Sequence, residues 1–325
     1  TWNYQCAECH STDLKKNYDV ANDSYKTSWS EINVACEACH GPASGHVSWA
    51  QAAAKDPNKK ADADKGLVVD LADRDDATWT IDAETGKPSR SRPRTKHTQI
   101  QLCARCHSRR GQIWEDYAYG KPLGDTHRLS LLDEHLYFPD GQIKDEVYVY
   151  GSFVQSKMYA AGVTCSNCHD PHSLKLRAEG NAVCATCHLS ARYDTPAHHH
   201  HESGGEGAAC IACHMPQRVY MVNDWRADHS MRVPRPDLSA KLETPNACNG
   251  CHTDKSTDWA ADAVAGWYPD STHRGPHFGE VLQAAATGAP DVANGLLAIA
   301  ADKSEPGIVR ATALDRLRAV AQSQQ

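Results

Sequence analysis

The pattern Cys-x-x-Cys-His occurs seven times in this chain of 325 residues and uses all 14 of its cysteines. Two thiols at this spacing can add to the two vinyl groups of haem, and the adjacent histidine then lies beside the iron as an axial ligand. The pattern therefore predicts seven covalently attached haems of the c type. The predicted attachment cysteines are Cys6, Cys9, Cys36, Cys39, Cys103, Cys106, Cys165, Cys168, Cys184, Cys187, Cys210, Cys213, Cys248 and Cys251. The predicted iron-binding histidines of the motifs are His10, His40, His107, His169, His188, His214 and His252.

Two other uses of the cysteines were weighed against haem. Zinc ribbons are built from paired CxxC motifs, and an even number of cysteines is also typical of disulfide-rich proteins. Neither use requires a histidine after the second cysteine, and histidine makes up only 19 of the 325 residues. Haem attachment is therefore the favoured interpretation. Because it would consume every cysteine, we expect no disulfide and no catalytic thiol.

The composition fits a protein whose core is built around porphyrin. The mean hydropathy is −0.61 and there are only three phenylalanines. The formal net charge of −7 makes nucleic acid an improbable partner and fits a surface that docks other redox proteins or copies of the same chain. No run of about 18 apolar residues is present, so no transmembrane segment is expected. Covalent haem attachment occurs outside the cytoplasm, which predicts a periplasmic or extracellular location.

The motifs divide the chain into two predicted regions. Residues 1–252 form a multihaem cytochrome c core that includes a haem-free, polar loop at about 51–96, and residues 253–325 form a helical segment. The intervals between motifs are irregular, which argues against a tandem repeat of fixed period. We expect a mostly α fold with extensive irregular chain wrapped around haem. The best candidate for a strand is 146–150 (EVYVY).

The C-terminal segment shows the periodicity of amphipathic helices. The sequence predicts a short helix over 256–267 and two further helices, with Asp291 and Ser304 as candidate N-caps. The phrase that starts at Glu305 resembles a helical repeat of the HEAT kind. One repeat pair cannot bury its apolar face alone, so it is expected to pack on the haem core or to continue into further repeats.

Iron also needs a second axial ligand, and imidazole is a frequent one. Twelve histidines lie outside the motifs, and several occur in turn-rich phrases near a motif. One or two of the four histidines at 198–201 are also expected to bind iron. Met158 is a further candidate, because a thioether ligand would raise the potential of its haem, although methionine is often only core filler. The predicted distal ligands are His46, His127, His172, His201, His229 and Met158.

Four longer phrases resemble one particular family, and together they span most of the chain. They are 2–12 (WNYQCAECHST), 36–42 (CEACHGP), 140–153 (DGQIKDEVYVYGSF) and 245–252 (PNACNGCH). They resemble the large, octahaem-type multihaem cytochromes that carry C-terminal HEAT or tetratricopeptide repeats. The haem core of that family is similar to the tetrahaem cytochrome of ammonia oxidisers and to octahaem reductases.

The resemblance implies further features of this chain. Relatives usually carry another motif upstream and more repeats downstream, so the chain is expected to be the middle of an octahaem protein. By the same analogy, His46 serves an upstream haem or a neighbouring subunit. Met158 stands where related reductases place a distal histidine. In the related tetrahaem cytochrome, the haem that corresponds to Cys6, Cys9 and His10 has no sixth ligand.

Two functions follow from these features. The favoured one is electron transfer through seven haems, as a soluble shuttle, a subunit of a complex or a conductive filament. The alternative is a multihaem reductase or oxidase of small nitrogen or sulfur compounds, with the iron of the Cys6/Cys9/His10 motif as its open site. The absence of a CxxCK motif argues against the usual active haem of nitrite reductases. No residue is assigned a catalytic role, and electron transfer without catalysis is preferred.

Overall fold

The computed structural model describes residues 2–56, 64–71 and 77–323. The chain forms two compact units, each of which is discontinuous in sequence. Unit 1 consists of Thr1–Asp76 and Arg94–Leu129, and unit 2 consists of Ala77–Pro93 and Ser130–Gln325. Three of the seven motifs lie in unit 1 and four lie in unit 2.

Helices dominate both units, and the strands are only two to four residues long. The helices are α1 Cys6–Cys9, α2 Cys36–His40, α3 Ser44–Lys55, α4 Thr98–His107, α5 Tyr150–Phe153, α6 Lys157–Ala160, α7 Cys165–Cys168, α8 Ala182–Ala185, α9 Ser190–Tyr193, α10 Pro196–His199, α11 Cys210–His214, α12 Pro236–Leu242, α13 Ala247–Cys251, α14 Thr257–Trp267, α15 Phe278–Ala286, α16 Val292–Ala301 and α17 Gly307–Ser323. The strands are β1 Tyr18–Asp19, β2 Ser24–Tyr25, β3 Trp79–Ile81, β4 Pro88–Arg90, β5 Arg110–Gln112, β6 His127–Leu129, β7 His169–Asp170, β8 Lys175–Leu176, β9 Gln217–Tyr220 and β10 Asp224–Ala227. They pair as five antiparallel two-stranded sheets, β1–β2, β3–β4, β5–β6, β7–β8 and β9–β10.

Each motif begins on or within a helix, and six of these seven helices have only four or five residues. Isolated helices this short are not stable in water, because nucleation costs more than a single turn returns. Their stability must therefore come from what packs around them. The exception is α4, whose ten residues place Ile100 and Leu102 in the interior of unit 1.

Unit 2 has the larger apolar core, and the C-terminal helices build much of it. Leu296 on α16 and Val309 on α17 are fully buried, and they belong to one cluster with Leu132 and Val147. The Leu132 amide also donates a hydrogen bond of 3.1 Å to the Thr312 hydroxyl. The helical pair therefore buries its apolar face within the unit that carries four motifs. The predicted boundary between residues 252 and 253 stays a prediction.

The strand predicted at 146–150 is wrong. Tyr148 has a φ of +60°, which breaks an extended backbone, and helix α5 begins at Tyr150. Val147 is only 1% exposed, so the apolar character that suggested a strand reflects burial in the core. A short apolar run cannot be assigned to a strand by its pattern alone.

The helix predicted over 256–267 is present as α14, but neither predicted N-cap, Asp291 or Ser304, caps a helix with its side chain. Ser256 caps α14, since its hydroxyl accepts a hydrogen bond from the Trp259 amide. Asp291 precedes α16 but does not cap it with its side chain. The prediction for Ser304 is wrong, because its hydroxyl donates to Asp302 instead.

Among the described residues, no helix combines the length and apolar character that crossing a bilayer requires.

Candidate haem sites

The cysteines of the motifs are all free thiols, and each of them is partly or fully exposed. In the part of the chain that the structure describes, no three side chains of His, Cys, Asp and Glu converge as metal ligands would. Accessible thiol pairs, each followed by a histidine, are a donor set that fits covalent haem.

Cysteines of different motifs lie beside one another. In unit 1, the Cys9 thiol contacts the Cys106 thiol and lies 3.8 Å from the Cys106 carbonyl oxygen. In unit 2, the thiols of Cys184 and Cys210 are hydrogen-bonded to each other. Groups attached at these neighbouring motifs would therefore be close together.

Two more pairs of thiols in unit 2 are near enough to affect each other's pKa. Burial, and then the neighbouring thiols of Cys187 and Cys165, raise the pKa of Cys168. Burial, and then the thiol of Cys248, raise the pKa of Cys213. Consecutive motifs of unit 2 thus lie near one another, from the first at Cys165 to the last at Cys248.

Three motif histidines each face a histidine from outside the motifs. The ring centroids are 6.3 Å apart for His169 and His229. They are 6.1 Å apart for His214 and His198, and also 6.1 Å for His252 and His201. Two imidazoles on opposite sides of one metal, each bonded through a nitrogen at about 2 Å, have centroids about 6 Å apart. All three spacings therefore fit an iron between the rings.

Hydrogen bonds fix the tautomers of these rings. The Nδ1 of His229 lies 2.9 Å from the Ala227 carbonyl oxygen, and the Nδ1 of His214 lies 2.9 Å from that of Arg232. Because a carbonyl can only accept, Nδ1 must carry the proton in both rings. The lone pair is then on Nε2, which is the arrangement found in histidines that bind metal.

The proton affinities of several rings also suit ligation. Partial burial lowers the pKa of His169, and burial followed by the charge of His214 lowers the pKa of His188. Burial, with smaller contributions from neighbouring histidines, lowers the pKa of His198. Burial disfavours the charged imidazolium, so these rings are held in the neutral form that binds metal.

His127 has different surroundings, which sequence reasoning did not anticipate. Its ring is 2% exposed, and its Nε2 lies 2.8 Å from the Glu8 carboxylate. Its Nδ1 lies 2.8 Å from the Thr126 hydroxyl. Both ring nitrogens therefore already have partners. The ligand role of His127 stays a prediction, and this geometry does not favour it.

Glu8 is the centre of a buried charge cluster in unit 1. Its carboxylate lies 3.1 Å from Arg110 and 3.7 Å from Arg105, besides its contact with His127. Burial raises the pKa of the Glu8 carboxyl, but the His127 hydrogen bond and the two arginines outweigh it, so the pKa is lowered overall. Glu8 and Arg105 are interior residues of two motifs, so the cluster ties α1 to α4.

His46 has the tautomer of a ligand. Its Nδ1 lies 2.8 Å from the Lys65 carbonyl oxygen, and its ring stacks on Trp49 with centroids 5.4 Å apart. Gly45 and Gly66 permit this approach, because a Cβ on Gly66 would lie 2.6 Å from the Gly45 carbonyl oxygen. The Nε2 of His46 thus keeps the lone pair. Which iron it would serve stays a prediction.

The remaining predicted ligands lie in unit 2. His172 is exposed after β7, and its amide donates to Asp170. Met158 is half-buried on α6. Their ligand roles stay predictions. Sequence reasoning left open which of the residues 198–201 would act, and the structure turns His198 as well as His201 toward a motif histidine.

Two family profiles match parts of the chain. Residues 1–41 match cytochrome c554 and c-prime, and residues 157–193 match the doubled CXXCH motif. Each match contains two of the seven motifs, so both support haem attachment. No curated protein sequence matches the chain.

The fold is shared with a solved cytochrome. The crystal structure of the outer cell wall cytochrome OcwA superposes with a TM-score of 0.52 at 20% identity, covering 100% of this chain and 76% of OcwA. An undecahaem cytochrome from the S-layer of Carboxydothermus ferrireducens is also similar, with a TM-score of 0.35 at 20% identity. This chain spans 56% of that protein, which in turn covers 99% of this chain.

The motifs, the two profile matches and the fold define a multihaem c-type cytochrome. The expectation of a mostly helical chain with much irregular structure is confirmed. The resemblance to proteins with HEAT repeats and to the tetrahaem cytochrome of ammonia oxidisers stays a prediction.

Proposed function

We propose that this protein transfers electrons through seven covalently bound c-type haems, one at each motif. The observation that carries the proposal is the set of three facing imidazole pairs, at 6.1 to 6.3 Å, in a unit whose four motifs adjoin. When bound, haem iron supplies one-electron chemistry, and two histidine ligands leave no position open for a substrate. The residues of the chain hold, orient and space the haems.

The proposed axial pairs are His169 with His229, His214 with His198, and His252 with His201. His46 and His172 are proposed as distal ligands of other irons. For His46, the support is the Nδ1 proton that it donates to a carbonyl. His127 and Met158 are the weakest members of the predicted set, because nothing in their surroundings points to an iron.

The proposed route through unit 2 follows its four motifs in sequence order. It starts at the motif of Cys168, passes to Cys187 of the second motif, and continues through the contact of Cys184 with Cys210. Cys213 and Cys248 make the last step. The middle step is supported by the contact of the Cys184 and Cys210 thiols, and the other two by thiols close enough to raise one another's pKa.

The proposed location is the periplasm or the cell exterior, and the proposed partners are other redox proteins or copies of this chain, including a filament. The net charge of −7 supports docking to proteins rather than to nucleic acid. OcwA, which has the same fold, is described as an outer cell wall cytochrome.

We also propose that residues 253–325 are HEAT-like, since α16 and α17 pack against each other.

A second candidate function is reduction or oxidation of a small nitrogen or sulfur compound at the first motif. The observation that favours it concerns His10. Among the described residues, no histidine ring faces His10 as His229 faces His169. An iron at Cys6 and Cys9 would then have a free position, which a substrate needs.

One experiment separates these functions. The purified holoprotein would be adsorbed on an electrode and cycled in buffer alone, then with nitrite, hydroxylamine or sulfite. The electron-transfer proposal predicts that seven haems, counted independently by intact mass, are reduced and reoxidised reversibly without any substrate. A catalytic current with one of these compounds would favour the second function. Isolated haems that cannot exchange electrons with their neighbours would contradict the first.

A further inference from the structure

The four consecutive histidines at 198–201 form a turn that aims two imidazoles in different directions. Helix α10 ends at His199, and His200 adopts the left-handed conformation, with φ 58° and ψ 27°. In a continuous helix, residues three apart lie on the same face. His198 and His201 would then compete for one position. The left-handed residue redirects His201, so that His198 faces His214 while His201 faces His252.

His200 is held in this conformation by stacking. Its ring lies 4.2 Å from the ring of Trp267, with an angle of 9° between the planes. Tyr268 meets the edge of His200 with centroids 5.7 Å apart. Histidine is among the few residues enriched in the left-handed region, but the conformation is still disfavoured without glycine. The stack on Trp267 offsets that cost.

Hydrogen bonds at Nδ1 orient the two flanking histidines, His198 and His201. The Tyr268 hydroxyl donates to the His198 carbonyl oxygen and lies 3.3 Å from His198 Nδ1. The His201 ring contacts the backbone of the same turn, since its Nδ1 lies 2.5 Å from the His199 carbonyl oxygen. In both rings the contact is at Nδ1, which leaves Nε2 for a metal. Trp267 and Tyr268 end helix α14, so one helix end supports the whole turn.

We infer that His200 and Trp267 are positioning residues, which together let one tetrapeptide supply the second axial ligand of two successive haems. These are the haems of the motifs at Cys210 and Cys248, which lie on the contacting helices α11 and α13. The inference rests on the proposed function, because it needs His198 and His201 to be axial ligands. The ring of His200 stacks on Trp267 and does not face a motif histidine as His198 and His201 do. Its stack with Trp267 couples the ligation of two irons.

The test removes the stack and measures the spin state of the haems. Trp267→Leu in the ferric holoprotein should add a high-spin signal of about two haems per chain, because both imidazoles are released. Trp267→Phe keeps a flat ring under His200 and should restore the low-spin spectrum. Trp114→Leu is the matched control, since Trp114 is 64% exposed in unit 1, and it should change nothing. Electron paramagnetic resonance and magnetic circular dichroism give the readout, and intact mass counts the haems.

A second variant covers the possibility that Trp267→Leu does not fold. His200→Asn tolerates the left-handed conformation but has no ring to stack, and it should release the same two ligands. A high-spin signal of one haem or none, in either folded variant, would overturn the positioning role.

Single ligand variants keep this inference separate from the function on which it rests. His198→Ala and His201→Ala should each convert one haem to high spin, and added imidazole should reverse the change. If neither does so, the axial assignment fails. If both do so while His200→Asn leaves the spectrum unchanged, the assignment stands and only the positioning role is lost.

Discussion

Units 1 and 2 surround two candidate ligand histidines differently. In unit 2, His229 donates its Nδ1 proton to a carbonyl and faces His169 across 6.3 Å. In unit 1, His127 contacts the motif residue Glu8, and Glu8 and Thr126 occupy both of its nitrogens. If the proposed pairs are right, the difference teaches that a histidine near a haem motif can bind a buried carboxylate instead of an iron. The partner of Nε2 distinguishes the two cases, because Glu8 occupies this nitrogen in His127.

The comparison predicts the largest effect when each of these two histidines is replaced by alanine. His229→Ala should convert one low-spin haem to high spin, because an axial ligand is lost. His127→Ala should leave the spin state unchanged and instead lower the free energy of unfolding. Magnetic circular dichroism and denaturant titration measure the two effects. A new high-spin haem in His127→Ala would show that the two units use histidine alike.

The charge cluster of unit 1 gives the next largest effect. Glu8→Gln leaves Arg105 and Arg110 buried without their carboxylate, and loss of one partner of a buried pair costs about 3 kcal/mol. Chemical denaturation followed by the Soret band would measure it. Asp116→Asn is the matched control, because Asp116 is 74% exposed and lies 3.3 Å from Lys15, which is 41% exposed. An exposed pair contributes about 0 to 1 kcal/mol. Equal losses in the two variants would mean that burial of Glu8 has no special role.

Much of this could be predicted from sequence, but not the second ligands. Covalent attachment depends on a motif of only five consecutive residues, so all seven motifs could be predicted from the sequence. The second ligand comes from a distant segment, as His229 does for His169. The sequence separation of the two histidines therefore does not identify the pair. The residues around His127 and His229 do not distinguish the two histidines. Only the fold places the Glu8 carboxylate beside His127 and the Ala227 carbonyl beside His229. Likewise, the burial of Val147 made an irregular segment look like a strand.

A smaller steric effect should sharpen the assignment in unit 2. A Cβ on Gly207 would lie 2.2 Å from the His201 ring, so Gly207→Ala must displace that ring. Because His201 faces His252, the variant should gain a high-spin fraction of up to about one haem. Gly266→Ala is the control, since a Cβ there meets nothing within 4 Å. An unchanged spectrum in Gly207→Ala would mean that His201 is not an axial ligand.

The smallest effect is a pH dependence from a histidine that is not proposed as a ligand. Burial lowers the pKa of His277 from 6.5 to about 4, with Asp140 and Glu280 opposing the shift and Arg232 and Arg235 adding to it. Between those pH values the unfolded chain binds more protons than the folded one, so stability rises with pH. Above about pH 6.5 the contribution is constant. Acidification to about pH 4 should cost at most about 3 kcal/mol.

The control for this effect is His277→Asn. The asparagine can cap α15 as His277 does, where Nδ1 accepts from the Gly279 amide, but it does not titrate. Denaturant titrations between pH 7 and pH 4 should show a weaker pH dependence in the variant. Identical slopes for the two proteins would refute the assignment to His277.

The most direct test of the axial pairs is a crystal structure of the ferric holoprotein. The account predicts irons on His169, His214 and His252 whose opposite ligands are the Nε2 atoms of His229, His198 and His201, in that order. Each iron–nitrogen distance should be about 2 Å, as for other imidazole ligands of first-row metals. If two or more of these irons have water or another residue on that side, the proposed pairs are contradicted.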